Sequence, residues 1–274
     1  MNRYLITPAL LLCLSPAQAI TIDGDWSDWI NPSGNGQADD WNPIDPSLKY
    51  QVEDQSTNYL DPGYGGQVYD AEAIYVDASP DGIAVAVFTG RNPKYGYPWG
   101  DIALDFGMDG TFEYGLVTWG YEGYATRDNQ HHRGEGIGSP GDVYRVDDWL
   151  LGIWDAPDDH NDNPTSDYAK AHPTAVKSGT LLGSGQFAYS KVTGPLGELG
   201  GDHWFMEGLI PASLIDPQFQ DQAFLAHWTM GCANDWIQVD PVINSVPEAS
   251  ALWLIGPGLG LAALVGWRRR NGQG

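Results

Sequence analysis

The sequence predicts an all-β fold: an antiparallel, jelly-roll-like β-sandwich with long loops, with a signal helix at the N-terminus and a single transmembrane helix at the C-terminus. Two hairpin patterns with strong turn signals, Glu72–Thr89 and Asp101–Trp119, carry the sandwich. Long stretches rich in Gly, Pro, Asn and Asp separate the apolar runs and supply its loops.

In chain order, Met1–Ala19 has Arg3 in a basic n-region, an apolar run Ala9–Leu14, and Ala17 and Ala19 flanking Gln18 as a small-residue cleavage site. That order of features is a secretory signal peptide. Residues 20–245 form the exported domain, long enough for one sizeable core. Residues 246–270 form a tail, and 271–274 a cytoplasmic end.

The exported domain opens Ile20-Thr21-Ile22-Asp23-Gly24-Asp25-Trp26-Ser27-Asp28-Trp29, a short strand, an Asp-Gly turn and two tryptophans. Residues 31–66 lack periodicity and read as surface loops held by a few aromatics. In the first hairpin, Ser79-Pro80-Asp81-Gly82 suits a type I turn between Ala73–Val76 and Ile83–Phe88. That turn sets Val76 opposite Val85 and Ile74 opposite Val87. The second strand is apolar on both faces, as in the middle of a packed sandwich.

In the second hairpin, Ile102, Leu104 and Phe106 alternate with polar or small residues, as do Phe112, Tyr114 and Leu116 after the turn. A loop Met108-Asp109-Gly110, with Gly110 left-handed, pairs Leu104 with Tyr114 and Phe106 with Phe112. The same register puts Asp105 opposite Glu113, unfavourable unless a positive charge lies between. Calcium is the expected cofactor, held by Asp105, Asp109 and Glu113 with Asp101 in reserve, because it takes carboxylate oxygens. The other reading leaves both carboxylates in solvent at the sheet rim.

Residues 121–167 read as loops, with a short helix or irregular turn over 146–154. Thr180–Ser190, His203–Pro211 and Ala223–Met230 supply further strands, Pro211–Ile215 a helical turn, and Pro241–Ser245 a spacer. His227, Cys232 and Asp235 could gather a metal, but a core strand ending in an Asx turn explains them more simply. Cys232 is the one cysteine of the exported part, so no intramolecular disulfide forms there.

Charge and aromatics narrow the partners. Leaving out Arg3, Glu248 and the three terminal arginines leaves 35 acidic and 9 basic residues, a net charge of −26 for the exported part. Such a surface repels phosphate-rich partners and excludes nucleic acid. Ten of the 12 tryptophans lie there. Tyr97 and Trp99, in a Gly- and Pro-bounded loop beside Asp101, and Trp149 and Trp154, flanked by Asp147, Asp148 and Asp155, are the candidates for stacking on sugar rings. Core packing is the competing fate of each. No catalytic motif is present, so a non-catalytic binder is expected ahead of a calcium-stabilised structural surface or biofilm protein, with a polysaccharide-modifying enzyme third.

The tail reads Val246-Pro247-Glu248, an apolar segment Ala251–Trp267, then Arg268-Arg269-Arg270. Seventeen residues at the helical rise span about 25 Å, the low edge for a bilayer crossing. The arginines place the extreme C-terminus in the cytoplasm.

This tail resembles the PEP-CTERM sorting tail, with Ala249 standing where that pattern has its second proline. The resemblance implies a substrate of an exosortase-type transpeptidase, transiently anchored in the inner membrane of a Gram-negative-type bacterium, then moved to the cell surface or exopolysaccharide matrix. The opening Ile-Asp-Gly…Asp-Trp pattern resembles family 9-like carbohydrate-binding and DOMON-like β-sandwiches, which implies polysaccharide as partner. The run His227-Trp228-Thr229-Met230-Gly231-Cys232-Ala233-Asn234-Asp235 is similar to a segment of some proteins with such tails, in which glycine is usual at the place of Ala233.

Overall fold

A computed structural model describes residues 20–53, 67–94, 98–119, 136–151, 172–198, 200–231, 233 and 235–243. Among the described residues, eleven strands form two antiparallel sheets packed as a sandwich. The strands are β1 (Lys49–Val52), β2 (Ala71–Ser79), β3 (Gly82–Thr89), β4 (Ile102–Phe106), β5 (Tyr114–Leu116), β6 (Asp142–Leu151), β7 (Pro173–Ser184), β8 (Gln186–Val192), β9 (His203–Pro211), β10 (Ala223–Thr229) and β11 (Trp236–Ile243). One sheet has the order β1-β2-β3-β9-β8 and the other β11-β10-β4-β5-β6-β7. The segments read as signal peptide, 1–19, and sorting tail, 246–270, lie outside the described residues. Among the described residues no helix is long and apolar enough to cross a membrane.

The first hairpin has the expected register, with Val76 opposite Val85 and Ile74 opposite Val87. Strand β3 is apolar throughout because both of its faces are covered. Ile83, Val85 and Val87 enter the main core between the sheets. Ala84, Ala86 and Phe88 enter a second cluster with Trp29, Trp41 and Phe205 on the sheet's outer side. Part of the segment read as surface loop therefore packs as core: Trp41 is buried, Tyr75 donates its hydroxyl to the Trp41 carbonyl, and β1 pairs with β2.

The opening Asp-Gly…Trp pattern acquires a structural meaning here. Glu207 of β9 is buried, and its Oε1 accepts from the Asp23 and Gly24 amides at 2.9 and 2.6 Å while Oε2 accepts from the Trp29 indole at 2.8 Å. Gly24 has φ +87°, which glycine adopts without cost. One carboxylate thus pins the N-terminal segment to the sheet.

The second hairpin also keeps its register, Leu104 opposite Tyr114, but the ladder stops there and residues 107–113 form the loop. Residues 146–151 belong to β6 and are not a helix or irregular turn. Register shifts at 143/144, 146/148, 148/149 and 150/151 against β7 break the strict alternation by which a strand is recognised. The last described strand is β11, reaching through Pro241 to Ile243 where a spacer was expected. Proline is tolerated there because β11 is a sheet edge and its pairing with β10 shifts between Phe224 and Ala226. The helical turn expected at Pro211–Ile215 is a 3-10 turn at Ala212–Leu214.

Candidate functional site

The group among the described residues that could hold a metal ion is Glu53, Asp70 and Asp235, each of which offers one carboxylate oxygen within 4.8 Å of the other two. Glu53 directly follows β1 and Asp70 directly precedes β2, both in the five-stranded sheet. Asp235 precedes β11 in the other sheet. The triad therefore spans the two layers.

Local backbone bonds hold each member. Asp235 Oδ2 accepts from the Ala71 amide at 2.6 Å and Oδ1 from the Trp236 amide at 2.9 Å. The first of these bonds brings Asp235 against the residue next to Asp70. The Asp70 carbonyl accepts from the Gly90 amide at 3.0 Å and from the Thr89 hydroxyl. The Glu53 amide donates to the Glu72 carbonyl at 2.8 Å. Thr229 donates its hydroxyl to the Asp235 carbonyl, and the turn closes through the Ala233 amide to the Met230 carbonyl at 2.7 Å. Ala233 sits at φ +52°, which explains physically why glycine would suit that position.

Asp70 and Asp235 are buried and Glu53 is half-buried. Three carboxylates this close repel strongly where the dielectric is low, and a hard divalent cation with oxygen ligands relieves that repulsion. The donor set fits calcium or magnesium better than zinc, since all three donors are carboxylates. Arg91, buried, lies 4.8 Å over the ring of Tyr69, the residue before Asp70.

A second buried polar group adjoins in sequence. His203 Nδ1 lies 3.1 Å from Glu72 Oε1, and Gln67 donates its side-chain amide to the same oxygen. The Trp41 ring meets the His203 imidazole edge-on at 5.5 Å.

The carboxylates singled out in the second hairpin have other partners. Asp101 Oδ1 accepts from the Thr118 amide at 3.0 Å and Oδ2 from the Val176 amide at 2.9 Å. Its full burial pushes its pKa up to about 7 against those two bonds. Asp101 and Asp105 stand four residues apart along β4 and its approach, about 13 Å at the rise of a strand, too far to share one ion. Asp105 accepts from the Asp109 and Gly110 amides at 3.2 and 2.8 Å, closing the loop on itself. Gly110 is left-handed as expected, with Gly107 and Met108 also at positive φ.

Glu113 accepts from the Phe106 amide at 2.8 Å. Burial pushes its pKa up, the Phe106 bond pulls it down, and Asp105 and Arg145 act on it in opposite senses. The positive charge that acts on Glu113 is the guanidinium of Arg145, which lies over the Tyr114 and Phe219 rings at 5.1 and 4.8 Å.

Among the aromatic candidates, Trp99 is in the main core at 0% exposure, its indole donating to the Arg91 carbonyl at 2.7 Å. Trp149 is half-buried, its indole donating to the Phe112 carbonyl at 2.8 Å. Tyr97 and Trp154 lie outside the described residues, as do Ala17, Ala19, Cys232, Val246, Pro247, Glu248, Arg268, Arg269 and Arg270. His227 is buried against the stacked rings of His172 and Trp236, with centroids 5.6 and 6.1 Å away.

Sequence reasoning passed over Glu53 and Asp70 altogether and weighed Asp235 only with His227 and Cys232. Glu53 and Asp70 belong to no local motif, and only the pairing of β1 with β2 and the approach of the β10–β11 turn bring the three together. Comparison with protein-family models, curated proteins and solved structures found no match to the chain.

Proposed function

We propose that the chain is exported and acts at the cell surface, or in the exopolysaccharide matrix, as a non-catalytic carbohydrate-binding β-sandwich whose sheets are clasped by calcium. The observation that carries the clasp is the grouping of Glu53, Asp70 and Asp235 across both layers. An oxygen-liganded cation there would tie the end of β1 and the start of β2 to the start of β11. It would also relieve the mutual repulsion of the three carboxylates.

The signal peptide and the PEP-CTERM-like tail support export and sorting by an exosortase-type transpeptidase. Partly exposed aromatics on an acidic surface support sugar contact over contact with nucleic acid. Retention of the purified protein on immobilised polysaccharide from the producing cells, compared in calcium and in chelator, tests the whole reading. Calcium-dependent retention is expected.

The triad also favours a second reading, a calcium-stabilised structural surface protein without sugar specificity. Calcium-dependent self-association with no retention on any polysaccharide would select it.

A further inference from the structure

The margin of the sandwich along β8 carries aromatic rings where an inward face ought to close. Strand β8 is the last strand of the five-stranded sheet, and its residues Phe187, Tyr189 and Lys191 stand opposite Gly208, Met206 and Trp204 of β9. Paired residues share a face, so all three stand on the side of the sheet that Met206 turns to the main core. Tyr189 nevertheless remains 43% exposed.

Around Tyr189 the rings are held at steep angles. It meets Trp99 at 5.3 Å and 83° and Trp119 at 6.1 Å and 64°. Trp99 in turn meets Trp119 at 5.8 Å and Trp204 at 6.2 Å, again edge to face. Fully buried and bonded to the Arg91 carbonyl, Trp99 forms a rigid floor. Trp119 and Trp204 are half-buried and flank it. Packed edge to face around Trp99, the outer rings keep part of their surface uncovered. Lys191, on the same face as Tyr189, pairs with Asp202 at 2.6 Å and adds a polar rim.

We infer that Trp119, Tyr189 and Trp204, seated on Trp99, take the pyranose rings of a neutral polysaccharide. The inference rests on the carbohydrate-binding reading and adds to it the place and the class of glycan. Apolar C–H faces of pyranoses match exposed aromatic rings, and rim groups such as Lys191 and Asp202 offer hydrogen bonds to hydroxyls. The exported part carries −26, so polyuronates and sulfated glycans meet repulsion that neutral chains escape. Trp99, half of the aromatic pair expected at Tyr97 and Trp99, thus acts as support beneath the surface.

Native affinity electrophoresis of the full chain in mild detergent tests this, with gels containing soluble β-glucan, galactomannan, xyloglucan or alginate. The wild type is expected to be retarded by at least one of the three neutral polymers and not by alginate. Tyr189→Ala and Trp119→Ala should each weaken retardation at least tenfold while still unfolding cooperatively above the temperature of the gel, and Tyr189→Phe stays within about twofold of wild type, since the ring face is kept. Wild-type retardation of both alanine variants would overturn the location and leave the carbohydrate reading standing. Retardation by alginate would overturn the neutral class. If none of the four polymers slows the wild type, the carbohydrate reading itself falls, and this site with it.

Discussion

Val176 donates its backbone amide to Asp101 Oδ2 at 2.9 Å, tying the approach to β4 to β7, two strands that are not neighbours in their sheet. The Asp101 amide donates to the Thr174 carbonyl at 2.8 Å and the Gly100 amide to the Thr229 carbonyl at 3.0 Å, so this stretch is threaded between β7 and β10. A Cβ at Gly100 would lie 2.1 Å from the Thr229 carbonyl oxygen, which leaves room for glycine alone.

Asp101 gives the fold a pH dependence of definite sign. Its pKa rises from 3.8 in the unfolded chain to about 7 on folding, so between those values the folded protein holds a proton that the unfolded chain has released. The stabilisation is full below about pH 4 and is lost as pH rises through about 7, by about 4 kcal/mol in all. Asp101→Asn should abolish that slope while costing about 1–3 kcal/mol at low pH, because one of the two amides loses its acceptor. Urea unfolding of both proteins at pH 5 and pH 8 measures both effects; an unchanged slope in the variant would exclude Asp101 as its source.

His227 works in the opposite direction. Burial, with the nearby His172 adding to it, holds its pKa well below 6.5, so the unfolded chain gains a proton that the folded protein refuses. Its contribution is present above pH 6.5 and declines by up to about 1.4 kcal/mol for each pH unit below that. His227→Phe keeps a ring against His172 and Trp236 and should flatten the acid side of the stability curve, readable from melting temperatures between pH 5 and pH 7.

Glu207 supplies three acceptor contacts to the N-terminal segment, and Glu207→Gln keeps only part of them. The loss should reach about 2 kcal/mol, the cost of leaving one buried donor without an acceptor. Limited proteolysis should then cut within residues 20–29 faster than in the wild type, with the rest of the domain resistant.

At the triad, calcium at a hundredfold excess over its dissociation constant would add about 2.7 kcal/mol, or roughly 5–10 °C in melting temperature for a domain of this size. Asp70→Asn should remove most of that shift. Equal melting temperatures in calcium and in chelator for the wild type would refute the clasp.

Ala233 at φ +52° predicts a stabilising change two residues before Asp235. Ala233→Gly should raise stability by about 1 kcal/mol by relieving the left-handed strain, and denaturant midpoints measure it.

Much of the framework is legible in the sequence. Pro80 at a turn position and the alternation on either side of it fix Val76 opposite Val85. Alternation in β4 and β5 likewise fixes Leu104 opposite Tyr114, because a one-residue slip would turn every apolar side chain outward. Strand β6 was not legible, since register shifts against β7 erase its period. Nor was Pro241 readable as a strand residue, because only an edge position tolerates it.

The sequence by itself determined the two hairpins, their registers, the acidic charge and the wealth of tryptophan, all of which follow from short-range alternation and composition. Only the tertiary structure decided which carboxylates meet. Asp105 and Glu113, neighbours across a hairpin, satisfy themselves with backbone amides, whereas Glu53, Asp70 and Asp235 converge from two sheets. Local pattern records which face a side chain takes, but the packing of one sheet on the other sets which distant faces come within reach.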